Sequence, residues 1–160
     1  MAREIGSWLS GPEPVKPDDE AGWPGQELGL PEAGPRSLAR MGRRFLALLI
    51  DWLIAVGITS LAVPLGLMSS DQFLYSVDSR NIALLIWFVL GVLSLRLYGF
   101  TPGQYALGLM VIPVDNRQHV GTGRAIVRGL LLSLVIPPLF TDADGRGLQD
   151  RLTATAVVRR

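Results

Sequence analysis

The sequence predicts an all-α membrane protein with two to three transmembrane helices, a re-entrant or short third segment, and a disordered N-terminal tail. Three observations carry that prediction. The run from Phe45 to Met68 is uncharged except for one carboxylate, Asp51. A second run, Ile82 to Leu95, is broken only by Gly91 and Ser94. Residues 1–37, in contrast, hold six prolines and seven acidic side chains against three basic ones. About 20 apolar residues, rising ~1.5 Å each, cross a ~30 Å hydrocarbon core, so the first run is long enough to span.

Taken in order, residues 1–37 read as an acidic Pro/Gly-rich tail. The prolines break any helix ladder, and there is too little apolar surface to offset ordering entropy. Trp8 and Trp23 are its only aromatics and read as incidental. Ser37 is a candidate N-cap for a helix running through Arg40, Arg43 and Arg44 into a first span at about 44–67. Three arginines at the mouth of a span favour the cytoplasmic side, so the N-terminus is expected there. The apolar run begins after more than forty residues and exceeds a signal-peptide core, so the span is expected to stay in the membrane. A loop with Asp71, Tyr75, Asp78 and Arg80 suits the outer side. A second span at about 81–98 ends on Arg96 and Tyr98, both suited to a headgroup boundary.

Thr101-Pro102 reads as an N-cap followed by proline at the first helical position, opening a short helix through Leu107. Val111 to Val114 is β-branched and extended, and Asp115-Asn116 is a turn candidate. The third apolar segment, about 122–140, carries Arg128 near its start and Pro137-Pro138 near its end. Gly129 to Phe140 alone is too short to span, so a marginal span and a re-entrant half-helix are both open. Thr153, Thr155, Val157 and Val158 favour a strand, which is expected to pair with the Val111–Val114 segment.

Composition excludes several classes. The chain has 160 residues, 49% hydrophobic, with mean hydropathy +0.34, which is too apolar for a typical soluble domain. Its basic excess beyond the tail lies beside apolar segments and shows no basic face with aromatics, so no nucleic-acid partner is expected. Without cysteine there is no disulfide, thiolate metal site or thiol nucleophile. The lone His119 cannot form a multi-histidine centre. Asp142-Ala-Asp144-Gly145 lacks the remaining ligands of a calcium loop. No phosphate loop, hydrolase triad or acid–base pair is visible, so no enzyme, cofactor or metal is expected. Fourteen arginines against one lysine point to a GC-rich bacterial genome.

Asp51 is the most informative residue. A carboxylate inside a span costs roughly 2.5–3.5 kcal/mol on insertion scales and needs a partner or water. Arg44 lies seven residues earlier on the same helix face, but roughly 10 Å away along the axis. A cation from another helix, Arg96 or Arg128, is the expected partner. Ala62 and Gly66 form a small-xxx-small pair, a weak sign of helix packing.

Three blocks carry a family resemblance: Arg44-Phe-Leu-Ala-Leu-Leu-Ile-Asp51, Thr101-Pro-Gly-Gln-Tyr-Ala-Leu-Gly-Leu-Met-Val111 and Leu148-Gln-Asp-Arg-Leu-Thr-Ala-Thr-Ala-Val157. In this order they resemble the RDD family of small membrane proteins, named for one arginine and two aspartates. The resemblance runs from about Ala39 to Val158 and maps that signature onto Arg44, Asp51 and Asp150. Arg128 matches a frequent arginine before the family's last apolar segment. Gln104 stands where the family often has lysine. Thr153-Ala-Thr155 stands where Ala-Gly-Thr is usual. The resemblance implies an RDD-type membrane domain over 38–160, and transport has been proposed for the family.

Arg44, Asp51, Arg128 and Asp150 are therefore the expected polar cluster at the cytoplasmic end of the bundle, a candidate site for a ligand or ion. Asp150 reaches Arg44 only if the third segment is re-entrant, which is the expected arrangement. If that segment crossed fully, Asp150 would lie ~30 Å away, outside the membrane. Arg151, Arg159 and Arg160 also favour the cytoplasm. Two functions follow. One is transport of ions or small solutes by an oligomer, with Asp51 as the binding or protonatable group. The other is an accessory or scaffold subunit of a larger membrane complex. The expected partners are the lipid bilayer and other copies or other membrane proteins. The expected location is a bacterial cytoplasmic membrane, multi-pass.

Overall fold

The structure is a computed structural model, and it describes residues 22–115, 118–134 and 147–160. It is mostly helical, but not all-α. Two long helices, α1 (Met41–Ser60) and α3 (Val77–Tyr98), pack together. A short α2 (Ser70–Tyr75) links them, and α4 (Pro102–Ala106) follows α3. Strand β1 (Leu109–Pro113), helix α5 (Thr122–Ser133), helix α6 (Leu148–Leu152) and strand β2 (Thr155–Arg159) complete the order. The two strands form an antiparallel ribbon with Val111 opposite Val157 and Ile112 opposite Ala156. This is the pairing expected of the two β-branched stretches. It corrects the all-α expectation, because runs of Val and Thr too short for helices gain more from a ladder.

Helix α1 buries a single stripe: Arg44, Ala47, Asp51, Ala55 and Thr59. The spacing of three and then four is that of one helix face. Small side chains along this stripe let α3 and α4 approach closely. The opposite faces stay apolar and open: Leu53 is 58% exposed and Leu85 on α3 is 61% exposed. A soluble protein rarely leaves such contiguous apolar surface, whereas lipid covers it without cost. Among the described residues, α3 alone is long and apolar enough to cross a membrane, with mean hydropathy 1.9. Helix α1 has the length, but it carries Arg43, Arg44 and Asp51.

Several boundaries differ from expectation. The first helix ends at Ser60, and residues 61–66 continue as turns, where Pro64 and Gly66 interrupt the apolar run. The helix expected from Ser37 starts instead at Met41, with Arg40 as its extended N-cap. The reason lies in the β2 edge. Arg36 N–H donates to the Arg159 carbonyl at 2.8 Å and Ala39 N–H to the Val157 carbonyl at 2.8 Å. Leu38 bridges Val158 in the same antiparallel sense. Residues 36–39 thus gain ladder bonds that a helix would forfeit. Within the stretch read as a disordered tail, residues 22–37 include a 3-10 turn at Gln26–Leu28 and the Trp23 Nε1–H donating to the Leu30 carbonyl at 2.8 Å. Residues 1–21 lie outside the described ones. The connection between α1 and α3 holds α2, set by a Ser69–Gln72 capping box.

Helix α3 begins at Val77, earlier than expected, and stops at Tyr98 because Gly99 takes a left-handed conformation (φ 77°). Its carbonyl then accepts the Val111 N–H at 2.7 Å, tying the helix end to the ribbon. Thr101 caps α4 with Pro102 at the first position, as expected. Helix α5 has twelve residues, or ~18 Å of rise, against a ~30 Å core. The rest of the expected third span, 135–140, and the Asp142–Gly145 stretch lie outside the described residues. Asp115 pairs with Arg124 at 2.7 Å, joining the ribbon exit to the start of α5. At the opposite end of the ribbon, beside Leu109 and Arg159, Arg160 stacks over Phe100 and Tyr105, 5.5 and 4.9 Å from the ring centres.

The tight turn from α6 into β2 places Ala154 at φ 47°. This is the position where the resembled family carries glycine. An L-residue in that region is strained by about 1–2 kcal/mol, part of which glycine gives back as unfolded-state entropy. Ala154→Gly should therefore stabilise the fold by about 0.5–1 kcal/mol, read as a higher thermal unfolding midpoint in detergent. A lower midpoint would contradict strain at this turn.

Candidate functional site

Two polar constellations lie along the buried face of α1. The first gathers Arg44, Arg128 and Asp150 from α1, α5 and α6. Arg44 Nη1 donates to Asp150 Oδ2 at 2.8 Å, and Arg128 Nη1 donates to Asp150 Oδ1. The three residues are 8%, 4% and 0% exposed, so two guanidinium groups share one enclosed carboxylate. Local sequence explains how each arrives. Arg44 falls on the buried stripe. Arg128 lies three residues after buried Ala125 on the inner face of α5. Asp150 sits in the first turn of α6, where an acid is favoured, and it also accepts the Gly147 N–H at 3.3 Å.

Strand β2 completes this network. Arg128 Nη1 donates to Thr155 Oγ1 at 3.0 Å, and Arg44 Nη2 reaches the Val157 carbonyl at 3.4 Å. Thr153 Oγ1 donates to the Gln149 carbonyl at 2.6 Å and lies 2.9 Å from Thr155 Oγ1. Because the Thr153 proton is spent on that carbonyl, Thr155 must donate to Thr153. The chain of bonds therefore runs from Arg128 through Thr155 and Thr153 to the α6 backbone. Asp150 lies beside Arg44, which puts both at one end of the bundle, together with the C-terminal strand.

The second constellation centres on Asp51, and it differs from expectation. Neither Arg96 nor Arg128 pairs with it. Arg96 Nε instead donates to Thr122 Oγ1 at 3.1 Å. Asp51 Oδ2 accepts from Thr101 Oγ1 at 2.5 Å, and Asp51 Oδ1 accepts from the Gly103 N–H at 2.7 Å. Pro102 has no N–H, so Gly103 offers the first unmet donor of α4, and Asp51 takes it from across the helix interface. Gln104 closes the cap: its Oε1 accepts the Thr101 N–H at 3.0 Å. The carboxylate is met by neutral donors because the α4 start lies directly over α1. A Cβ on Gly103 would fall onto the Ala47 carbonyl oxygen.

The four expected residues thus divide into a triad and a separately held Asp51. A cavity of about 40 Å³ still connects them, lined by Asp51, Thr101, Gln104 and Arg128 among apolar walls from Trp87, Phe88 and Val92. Among the described residues no group of acids and histidines is placed to hold a metal. Thr101, Gly103, Gln104, Gln149, Thr153 and Thr155 are the partners that residue reasoning missed. The Thr101-Pro102 cap was legible, but nothing in its spacing says which carboxylate it faces.

No curated protein and no solved structure matches the chain. The model of the RDD family matches residues 38–153, which contain Arg44, Asp51, Arg128 and Asp150. With most of its length covered, this chain belongs to the RDD family of small membrane proteins.

Proposed function

We propose that this RDD protein is a multi-pass protein of a bacterial cytoplasmic membrane that, as an oligomer, passes an ion or small solute, with Asp51 as the binding or protonatable group. One observation carries the proposal: a carboxylate, an amide and a guanidinium converge on one apolar-walled cavity at Asp51, Gln104 and Arg128. Converging polar groups orient what an apolar cavity holds, and at about 40 Å³ this one is sized for an ion or a few waters. Ionisable residues within membrane segments default to function. Two long helices enclose no pathway alone, so other copies must supply the remaining walls. The arginines at the start of α1 and at the end of β2 support a cytoplasmic location for that end. Helix α5 is too short to span, which supports a re-entrant third segment.

A second reading, an accessory or scaffold subunit, is favoured by Asp150. It is fully enclosed with both oxygens taken, which suits a residue that only fixes packing. Asp51→Asn separates the two. In proteoliposomes the transporter loses flux about 10-fold or more while its assembly on size-exclusion chromatography is unchanged, as for loss of one essential charged ligand. The scaffold instead changes its assembly or its abundance in the membrane. If neither flux nor assembly moves, both roles for Asp51 fall.

A further inference from the structure

Two buried polar atoms remain when the hydrogen bonds of the triad are assigned. Arg44 Nε, a donor, and Gln149 Oε1, an acceptor, have no partner among the described residues. Arg44 and Gln149 are 8% and 5% exposed, too buried for bulk water to serve them. Both line one small cavity of about 20 Å³ between α1, α4, α5 and α6. One water needs roughly 10–15 Å³ by this measure, so the cavity holds one and excludes organic ligands. The chemistry narrows the occupant further. An anion would meet the Arg44 donor but repel the Gln149 oxygen. A cation would meet that oxygen but face two guanidinium groups. Water donates and accepts at once, and so matches both atoms.

This cavity adjoins the one at Asp51: Leu48, Gln104, Arg128 and Leu132 line both. The Gln104 oxygen is held by the Thr101 N–H, so the Nε2 hydrogens are what this cavity-lining side chain has left to offer. We infer that a hydrated relay runs from Arg44 and Gln149, past Gln104 and Arg128, to Asp51, its outer step being one water that bridges Arg44 Nε and Gln149 Oε1. The relay sets the cargo class of the proposed function, and on that point it rests on the reading of Asp51 as ligand. A neutral, water-sized species passes; an organic solute does not.

Solid-state NMR of the full chain in lipid bilayers tests the relay. The expected result is magnetisation transfer from water to the Arg44 Nε–H and the Gln104 side-chain amide, slower than to exposed Arg43 but above that of a dry buried group. Gln149→Leu should abolish the transfer to Arg44 Nε–H, with an unchanged Gly103 N–H shift as the check on folding. Absence of transfer to both groups in the unaltered chain overturns the relay, even if the variant does not fold. Transfer that survives Gln149→Leu overturns the bridging water. Flux in proteoliposomes without water transfer overturns the relay and leaves the transport reading standing. Water transfer without flux supports the relay and overturns the transport reading.

Discussion

Asp150→Asn should cost about 3–5 kcal/mol of stability, the loss typical of leaving a buried charge uncompensated. Asp150 is fully enclosed and faces two guanidinium groups. Removing its charge leaves both cations in a site that water barely reaches. The expected readout is a sharp fall in membrane abundance and in the thermal unfolding midpoint in detergent. The charge count makes a further demand. Arg44→Met leaves one guanidinium and one carboxylate, a balanced pair, so it should cost clearly less than Asp150→Asn. Arg128→Met should also cost less, but more than Arg44→Met, because it removes the donor to the Thr155 hydroxyl oxygen, whereas the Val157 carbonyl that loses Arg44 keeps the Ala39 N–H. Equal losses in all three variants would mean that packing, not charge balance, governs this site.

The same triad shows what sequence can and cannot carry. Arg44 and Asp150 are 106 residues apart; the family resemblance singled out both, and their contact was expected only on the condition that the third segment turns back. The antiparallel ribbon was legible in the residues themselves: Val111 and Val157 lie in short β-branched runs that no helix of that length would hold. Asp51 was legible as a buried carboxylate but not as a cap. Sequence chemistry says that such a group needs donors, and opposite charge is the strongest candidate. Backbone N–H groups at a helix start carry no residue signature, so the Gly103 donor left no trace beyond Pro102 before it. The helix start at Met41 was missed because the β2 edge, a tertiary partner, captured the backbone of residues 36–39.

Gly103 then becomes the position where a single methyl group should do most damage. Its hypothetical Cβ would overlap the Ala47 carbonyl oxygen and would lie 3.1 Å from the Asp51 carboxyl carbon. Neither neighbour can yield cheaply: Ala47 is 1% exposed and its carbonyl belongs to the α1 backbone. Helix α4 must therefore move off α1, and with it go the Gly103 and Thr101 hydrogen bonds to Asp51. Overpacking of this kind costs about 1–3 kcal/mol, and a carboxylate stripped of its donors adds about 1–3 kcal/mol more. Gly103→Ala should thus lower stability by about 2–6 kcal/mol, measured by thermal unfolding in detergent. Two second-site variants sharpen the expectation. Ala47→Gly should not rescue Gly103→Ala, because the clash is with the carbonyl oxygen and not with the Ala47 methyl. Asp51→Asn should cost less in the Gly103→Ala background than alone, because its donors have already been withdrawn. Full additivity of those two losses would show that the Gly103 N–H does not hold the Asp51 carboxylate.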